Sequence, residues 1–181
     1  IDFGKIWEPL EGLSYRIQFG PEFQFYTLGI ANAAEGINGD GNNKAQYKNE
    51  QKRSWTLDNL IYYDKEFGKH SVGLTLLQSA TGYHYEESSM AAEGIPLESA
   101  KWNALSKENV SLLDEWNSGL IEKQLLSYMF RVNYDYNNKY LLTVSGRWDG
   151  ASQLAEGNKW AFFPSAALGW RLDQEEFLKD V

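Results

Sequence analysis

The stretch RVNYDYNNKYLLTVSGRWDG, Arg131 to Gly150, alternates apolar and polar residues on both sides of a short turn. A period of two is the mark of a strand whose two faces meet different surroundings. Val132, Tyr134, Tyr136, Tyr140, Leu142, Val144 and Trp148 fall on one side; Arg131, Asn133, Asp135, Thr143, Ser145, Arg147 and Asp149 fall on the other. The pattern also sets a register, because a one-residue slip would swap the faces. A turn centred on Asn138 pairs Tyr136 with Tyr140, Tyr134 with Leu142 and Val132 with Val144. It places Phe130 opposite Gly146, an aromatic over a bare glycine. On the polar side it opposes Asn133 to Thr143 and Arg131 to Ser145.

The same rhythm recurs along the chain. LSYRIQF puts Leu13, Tyr15, Ile17 and Phe19 on one face and Arg16 on the other. SWTLDNLIYY carries Trp55, Leu57, Ile61 and Tyr63, interrupted by Asn59. A compact turn, DKEFGKH, leads to SVGLTLLQS. LLSYMFRVNYDY, KYLLTVSGRWD and WAFFPSAALGWRL complete about six or seven strands. Ile1 to Trp7 fits the end of an earlier strand turning at EPLEG. Between strands, 32–52 and 80–121 read as long polar excursions, the second with room for a short helix in LESAKWNALSKENVSLLDEW. Pro164 removes a ladder donor, so a bulge, or a strand that pairs regularly only after it, is expected there.

Two all-β architectures satisfy this alternation. In a soluble β-sandwich, such as a carbohydrate-binding module, the apolar face is core. In an outer-membrane β-barrel it meets lipid and the polar face lines the lumen. Three features favour the barrel. First, aromatics sit at strand ends: Tyr15, Tyr63, Tyr134, Tyr136, Tyr140 and Trp170 near the short turns, Trp55, Tyr128, Trp148 and Trp160 near the long loops. Amphipathic rings settle at the two headgroup levels of a bilayer. Second, Leu126 to Tyr136 is about ten rises of ~3.3 Å, which at ~45° tilt spans roughly 23 Å, close to the barrel's apolar band. Third, connections alternate short and long, as periplasmic turns and extracellular loops do. On this reading Arg16, Arg131, Asn133 and Arg147 face the lumen, Arg131 and Arg147 as partners of Asp135 and Asp149.

Composition sets limits. The 181 residues carry a net charge of −8 and no cysteine. Clustered basic residues, which phosphate recognition requires, are missing, so nucleic acid is not an expected partner. A disulfide scaffold and a thiolate zinc site are excluded. Aromatics make up 15% of the chain while mean hydropathy is −0.52, which concentrates rings on particular faces. No run approaches the ~20 apolar residues of a spanning helix, which leaves the barrel open. The first residues, IDFGKIWEPL, show no signal peptide, and both ends fit a piece of something longer.

YMFRVNYDYNNKYLLTVSGRWDGAS, NKWAFFPSAALGWRL and EEFL, with LEGLSYRIQFG and WTLDNLIYYDKEFGKHSVGLTLLQS upstream, resemble the barrel region of SusC/RagA-type TonB-dependent outer-membrane transporters. The resemblance implies an antiparallel transmembrane barrel segment, with residues 1–181 part of one barrel domain of about 22 strands. It implies residence in the outer membrane of a Gram-negative bacterium, crossed many times. It implies import of oligosaccharides or peptides, with partners comprising the remaining barrel and plug, a SusD-like lipoprotein lid, TonB, and outer-membrane lipid. The plug and the TonB-contacting segment are expected outside this chain. A passive porin segment is the third and weaker alternative.

No catalytic constellation is present, so no enzyme, cofactor or metal is expected. His70 and His84 have no nucleophile pattern beside them. NGDGNN, Asn38 to Asn43, lacks the closing acidic residue of a calcium loop. Sugars stack on exposed aromatics, so Tyr83, Tyr85, Trp102 and Trp116 are the candidate ligand contacts. The competing reading packs Trp102 and Trp116 against the loop's own helix.

Overall fold

A computed structural model describes residues 1–6, 8–39, 41–95, 98–106 and 112–175. It contains six strands: β1 (Leu13–Asn32), β2 (Lys44–Phe67), β3 (His70–Glu93), β4 (Leu112–Tyr136), β5 (Tyr140–Ala151) and β6 (Trp160–Trp170). They form one sheet in the order β1-β2-β3-β4-β5-β6, an open meander in chain order. Short 3-10 turns occupy Glu8–Leu10, Glu98–Ala104 and Leu172–Gln174. No described helix is long and apolar enough to cross a membrane.

The β4–β5 register is the one the alternation demands. Tyr136 pairs with Tyr140, Val132 with Val144, Phe130 with Gly146 and Arg131 with Ser145. Asn137 and Asn138 take φ of 54° and 55° at the turn, and Asp135 Oδ1 accepts the Asn138 N–H at 2.7 Å. Asparagine tolerates this left-handed conformation because its short amide bonds locally. At the amino end, Asp2 bridges Ser14 and Phe3 N–H donates to Leu13 O, so the first residues do pair beside β1.

Pro164 causes no bulge. The β5–β6 register runs unbroken from Gly150–Trp160 through Gly146–Pro164 to Tyr140–Trp170. Hydrogen bonds join Ala151 to Lys159 and Arg171 to Lys139, so the odd-numbered pairs of β5 carry the ladder. Gly146–Pro164 is therefore a non-bonded pair, and the proline nitrogen points away from β5. The expected excursions are also shorter than the sequence suggests. β1 continues to Asn32 and β2 starts at Lys44; β3 reaches Glu93 and β4 starts at Leu112. The helix there is 3-10, confined to Glu98–Ala104, and Trp116 lies on β4 instead. Polar residues on both faces erase the period-two signal, although the backbone ladder continues.

Two units make up the chain: one of Ile1–Gly20, Trp55–Gly82 and Lys123–Val181, the other of Pro21–Ser54 and Tyr83–Glu122. In the first, both sheet faces are open and the fully buried side chain is Ser127, not a hydrophobe. Val144 is 37% exposed, Phe162 44% and Leu168 86%. A sandwich would cover this face with a second sheet; the described residues form one sheet only. The second unit has a small apolar cluster, Ala45, Ile95 and Ala104, with Trp102 and Leu105 against it.

Candidate functional site: an aromatic face and a charged strand surface

In the first unit the rings gather in two bands on one face. At the short-turn end, Phe67 stacks on His70 at 5.4 Å between centroids, and His70 meets Tyr136 at 5.0 Å. Tyr136 stacks on Tyr140 and Tyr140 on Trp170, each at 6.4 Å. Tyr134 joins through its hydroxyl, 2.7 Å from His70 Nδ1. His70 is thus part of the band, a role its position on a turn did not announce. At the other end, Trp148 stacks on Phe162 at 4.2 Å and Tyr128 on Trp160 at 6.2 Å. Between them lies the rung Val132–Val144, with Phe130–Gly146 next on the side of the second band. Tyr63 sits on β2 near the short turn. Just past β6, Glu175 accepts from Trp170 Nε1, Tyr140 OH and Lys139 Nζ at 3.0–3.1 Å. Those three donors, Trp170 first, hold its carboxyl below the ordinary range.

Asn59 explains its own interruption of this face. Its Oδ1 accepts from Tyr15 OH at 2.5 Å and its Nδ2 donates to Gln78 Oε1 at 2.6 Å. The three polar tips satisfy one another across β1, β2 and β3. A shallow groove joins them to Tyr128 and Trp148 of the second band.

The opposite face is polar. Arg147 Nε donates to Asp149 Oδ1 at 2.7 Å and its Nη2 donates to Ser127 Oγ at 3.2 Å. Arg16 lies 5.7 Å from the Tyr62 ring centroid. Thr143 Oγ1 donates to Asn133 Oδ1 at 3.0 Å. Arg131 is exposed and makes no ion pair with Asp135, whose carboxylate is turned onto the Asn138 N–H. The sequence therefore matched Arg147 to its partner and mismatched Arg131.

In the second unit the strand surfaces are charged. Lys48 bridges Glu50 at 2.6 Å and Glu87 at 3.3 Å. Tyr85 OH donates to Glu87 at 3.0 Å and Asn117 Nδ2 donates to it at 3.4 Å. The Tyr85 hydrogen bond, then Lys48, holds the Glu87 carboxyl down, while hydrogen bonds to Glu50 and Glu87 push Lys48 up. Partial burial, then the bond to Glu87, raises the Tyr85 phenol to about 12. Lys52 lies over Tyr83 at 5.8 Å. His84 contacts Glu86 at 2.8 Å and Glu122 at 3.0 Å.

The four candidate ligand aromatics are not brought together as one platform. Trp102 is spent on packing: a methyl on Gly29 would fall 2.3 Å from its ring. Trp116 is 76% exposed on β4. Tyr83 and Tyr85 stand on one face of β3 among lysines and glutamates. Asn43 has its amide consumed by Ala34 N–H and Ile95 O, and Asp40 lies outside the described residues. Among the described residues no group of three His, Asp or Glu stands ready for a metal.

An open antiparallel meander with one aromatic-banded apolar face and one polar face is a piece of β-barrel wall. Known proteins agree. The chain is 30% identical over 99% of its length to TonB-dependent receptor P3 of Formosa agariphila, and 42% identical over 81 residues to TonB-dependent receptor SusC of Bacteroides thetaiotaomicron. It spans 18% and 8% of those relatives. The RagAB peptide transporter structure superposes with a TM-score of 0.82 at 16% identity, over 94% of this chain and 19% of that one. Its closed-closed state gives 0.80 over 93%. No protein-family model matches the chain. By these likenesses the chain is a barrel segment similar to that of the SusC/RagA-type TonB-dependent receptors.

Proposed function

We propose that the chain forms barrel wall in an outer-membrane importer of oligosaccharides or peptides, energised through TonB. It works with a SusD-like surface lipoprotein over the extracellular mouth. Plug and TonB-contacting segment belong to other parts of the same receptor, and residues 1–181 to its single barrel domain. The observation that carries this reading is the pair of aromatic bands on the apolar face. Trp55, Tyr128, Trp148 and Trp160 take one headgroup level; Tyr15, Tyr63, Tyr134, Tyr136, Tyr140 and Trp170 take the other, with lipid between. Arg16, Arg131, Asn133 and Arg147 then line the water-filled side.

The strands support this assignment by length. β1 to β4 have 20, 24, 24 and 25 residues, whereas crossing a bilayer takes about 9–11. The surplus residues carry the charged surface with Tyr83 and Tyr85, which together with Trp116 are the candidate substrate contacts. Trp102 leaves that set because Gly29 occupies its ring face.

Deleting the full receptor gene in its own bacterium, then growing the strain on single oligosaccharides and peptides, tests import. Growth unchanged on every one of them would sink it. Fractionation tests the wall: a receptor recovered from the soluble fraction without detergent has no lipid-facing surface. Pull-down of the tagged receptor should bring down a surface lipoprotein.

A further inference from the structure

β4 has 25 residues, whereas β5, its hairpin partner, has 12. Their ladder ends at Leu125–Ala151, and the chain then turns toward β6. The last bonds lie at Gln124, whose O accepts the Ser152 N–H and whose N–H donates to Ser152 Oγ, both at 2.9 Å. Before Gln124, β4 keeps β3 on one side and has no described strand on the other. The outer edges of β1 and β6 are where further barrel strands join. This edge differs, because the strand next in order is present and stops short.

Parity fixes what the edge presents. The N–H and C=O of one strand residue point to the same side, and the side alternates along the chain. Gln124 turns both toward the β5 side, so Glu122, Leu120, Ser118 and Trp116 do likewise. The alternation is unbroken here: Glu122 meets His84 on one face, and Gly119 lies beside Glu87 on the other. Trp116 and Leu120 share the Glu122 face and are 76% and 62% exposed. On the opposite face Glu87 leans across Gly119, its Cγ and Oε1 3.1 Å from where a methyl would sit. Glu115, exposed, falls on that side as well.

A row of alternating backbone donors and acceptors is matched by another polypeptide backbone, not by the hydroxyls of a sugar chain. Trp116 to Glu122 extends about 20 Å at ~3.4 Å per residue, room for a strand of roughly seven residues. Ser118 separates the two apolar side chains and Glu122 follows them. That is sparse for a permanent interface, whose buried centre is largely apolar, and it suits an occupant that comes and goes.

We infer that the β4 edge from Trp116 to Glu122 takes up a short extended peptide as an added strand. Apolar peptide residues lie over Trp116 and Leu120, and basic ones point toward Glu87 and Glu115. Resting on the importer reading, this gives the cargo a class: the edge selects peptides over oligosaccharides.

The test uses the full-length receptor in detergent and a synthetic peptide of about nine residues that alternates valine and lysine. Hydrogen exchange of segment 116–122 should be fast without the peptide and slow with it. Ser118→Pro removes one edge donor and leaves the β3 ladder intact, so it should weaken peptide binding about threefold to tenfold. N-methylating one alternate set of peptide residues should abolish binding by wild type, and N-methylating the other set should spare it. Should Ser118→Pro fail to fold, the two methylated peptides decide alone. Equal binding of both methylated peptides overturns the site. Protection of 116–122 in the peptide-free receptor would overturn it too, by showing that the receptor covers its own edge. Protection that needs a co-purified surface lipoprotein, with none from the peptide, would overturn it in favour of a partner strand. A deletion strain that loses growth on oligosaccharides alone leaves the importer reading standing and overturns the peptide site. A receptor recovered without detergent would instead overturn the barrel reading, and the site with it.

Discussion

The Phe130 ring lies across Gly146: a methyl on that glycine would fall 2.6 Å from Phe130 Cε1 and 2.7 Å from Phe162 Cε2. Rings from β4 and β6 thus meet over β5, and the glycine is what lets them close. Gly146→Val should force both rings off the sheet and destabilise the hairpin by about 1–3 kcal/mol, the usual penalty of overpacking. Melting of the full-length receptor in detergent should show the loss. An unchanged melting temperature would mean that the rings move aside freely.

Asn59 and Gln78 form a pair in which each satisfies the other. Asn59→Leu alone strands the Gln78 amide and the Tyr15 hydroxyl, which should cost about 1 kcal/mol. Asn59→Leu with Gln78→Leu should recover the part owed to the Gln78 amide and leave the Tyr15 hydroxyl unpaired. A double-mutant cycle on receptor stability measures the coupling. Additive losses would show that the pair does not act as a unit.

The two tryptophans of the β3–β4 region should separate cleanly. Trp102→Ala removes the ring over Gly29 and should cost about 2 kcal/mol, below the full core value because Trp102 is only half-buried. Trp116→Ala should leave stability within about 0.5 kcal/mol, as exposed positions do. If Trp116 touches substrate, its loss should instead slow uptake by the intact receptor at limiting substrate. Uptake equal to wild type removes Trp116 from the contact set.

Where one face was apolar and the other polar, the sequence was sufficient to read the sheet. The β4–β5 pairing, down to Phe130 on Gly146, follows from parity alone, because only one register keeps both faces consistent. Strand ends were not legible. Around Tyr83 and Lys48 both faces are polar, so alternation carries no contrast and the ladder runs on without a signal in side-chain type. Pro164 misled for a related reason: its effect depends on which way its nitrogen points, and that is set by the parity of hydrogen-bonded pairs, not by the residue itself. Arg131 and Arg147 looked equivalent, yet Asp135 was already committed to the turn. Competition for a carboxylate between a side chain and a nearby backbone N–H is invisible in a pattern of residue types.

His84 ties β3 to β4 through Glu122, with Glu86 on its other nitrogen and Arg53 3.6 Å from Glu86. Hydrogen bonds to Glu86, then to Glu122, raise the imidazole above its ordinary value, against smaller opposing effects of burial and then of Arg53. A raised folded-state value means that the imidazolium is favoured by folding. Its contribution is fully present below about pH 6.5, the unfolded histidine value, and is lost as pH climbs through the raised one. Amides of 83–87 and 119–123 in the full-length receptor should therefore exchange more slowly near pH 6 than near pH 8.5, after correction for the intrinsic rate. The site is exposed, so the effect should shrink as salt is added. His84→Gln keeps hydrogen-bonding capacity but cannot acquire charge, and it should flatten the corrected pH dependence in these two segments alone. The same slope in His84→Gln as in wild type would show that another group, and not this imidazole, links the strands to pH.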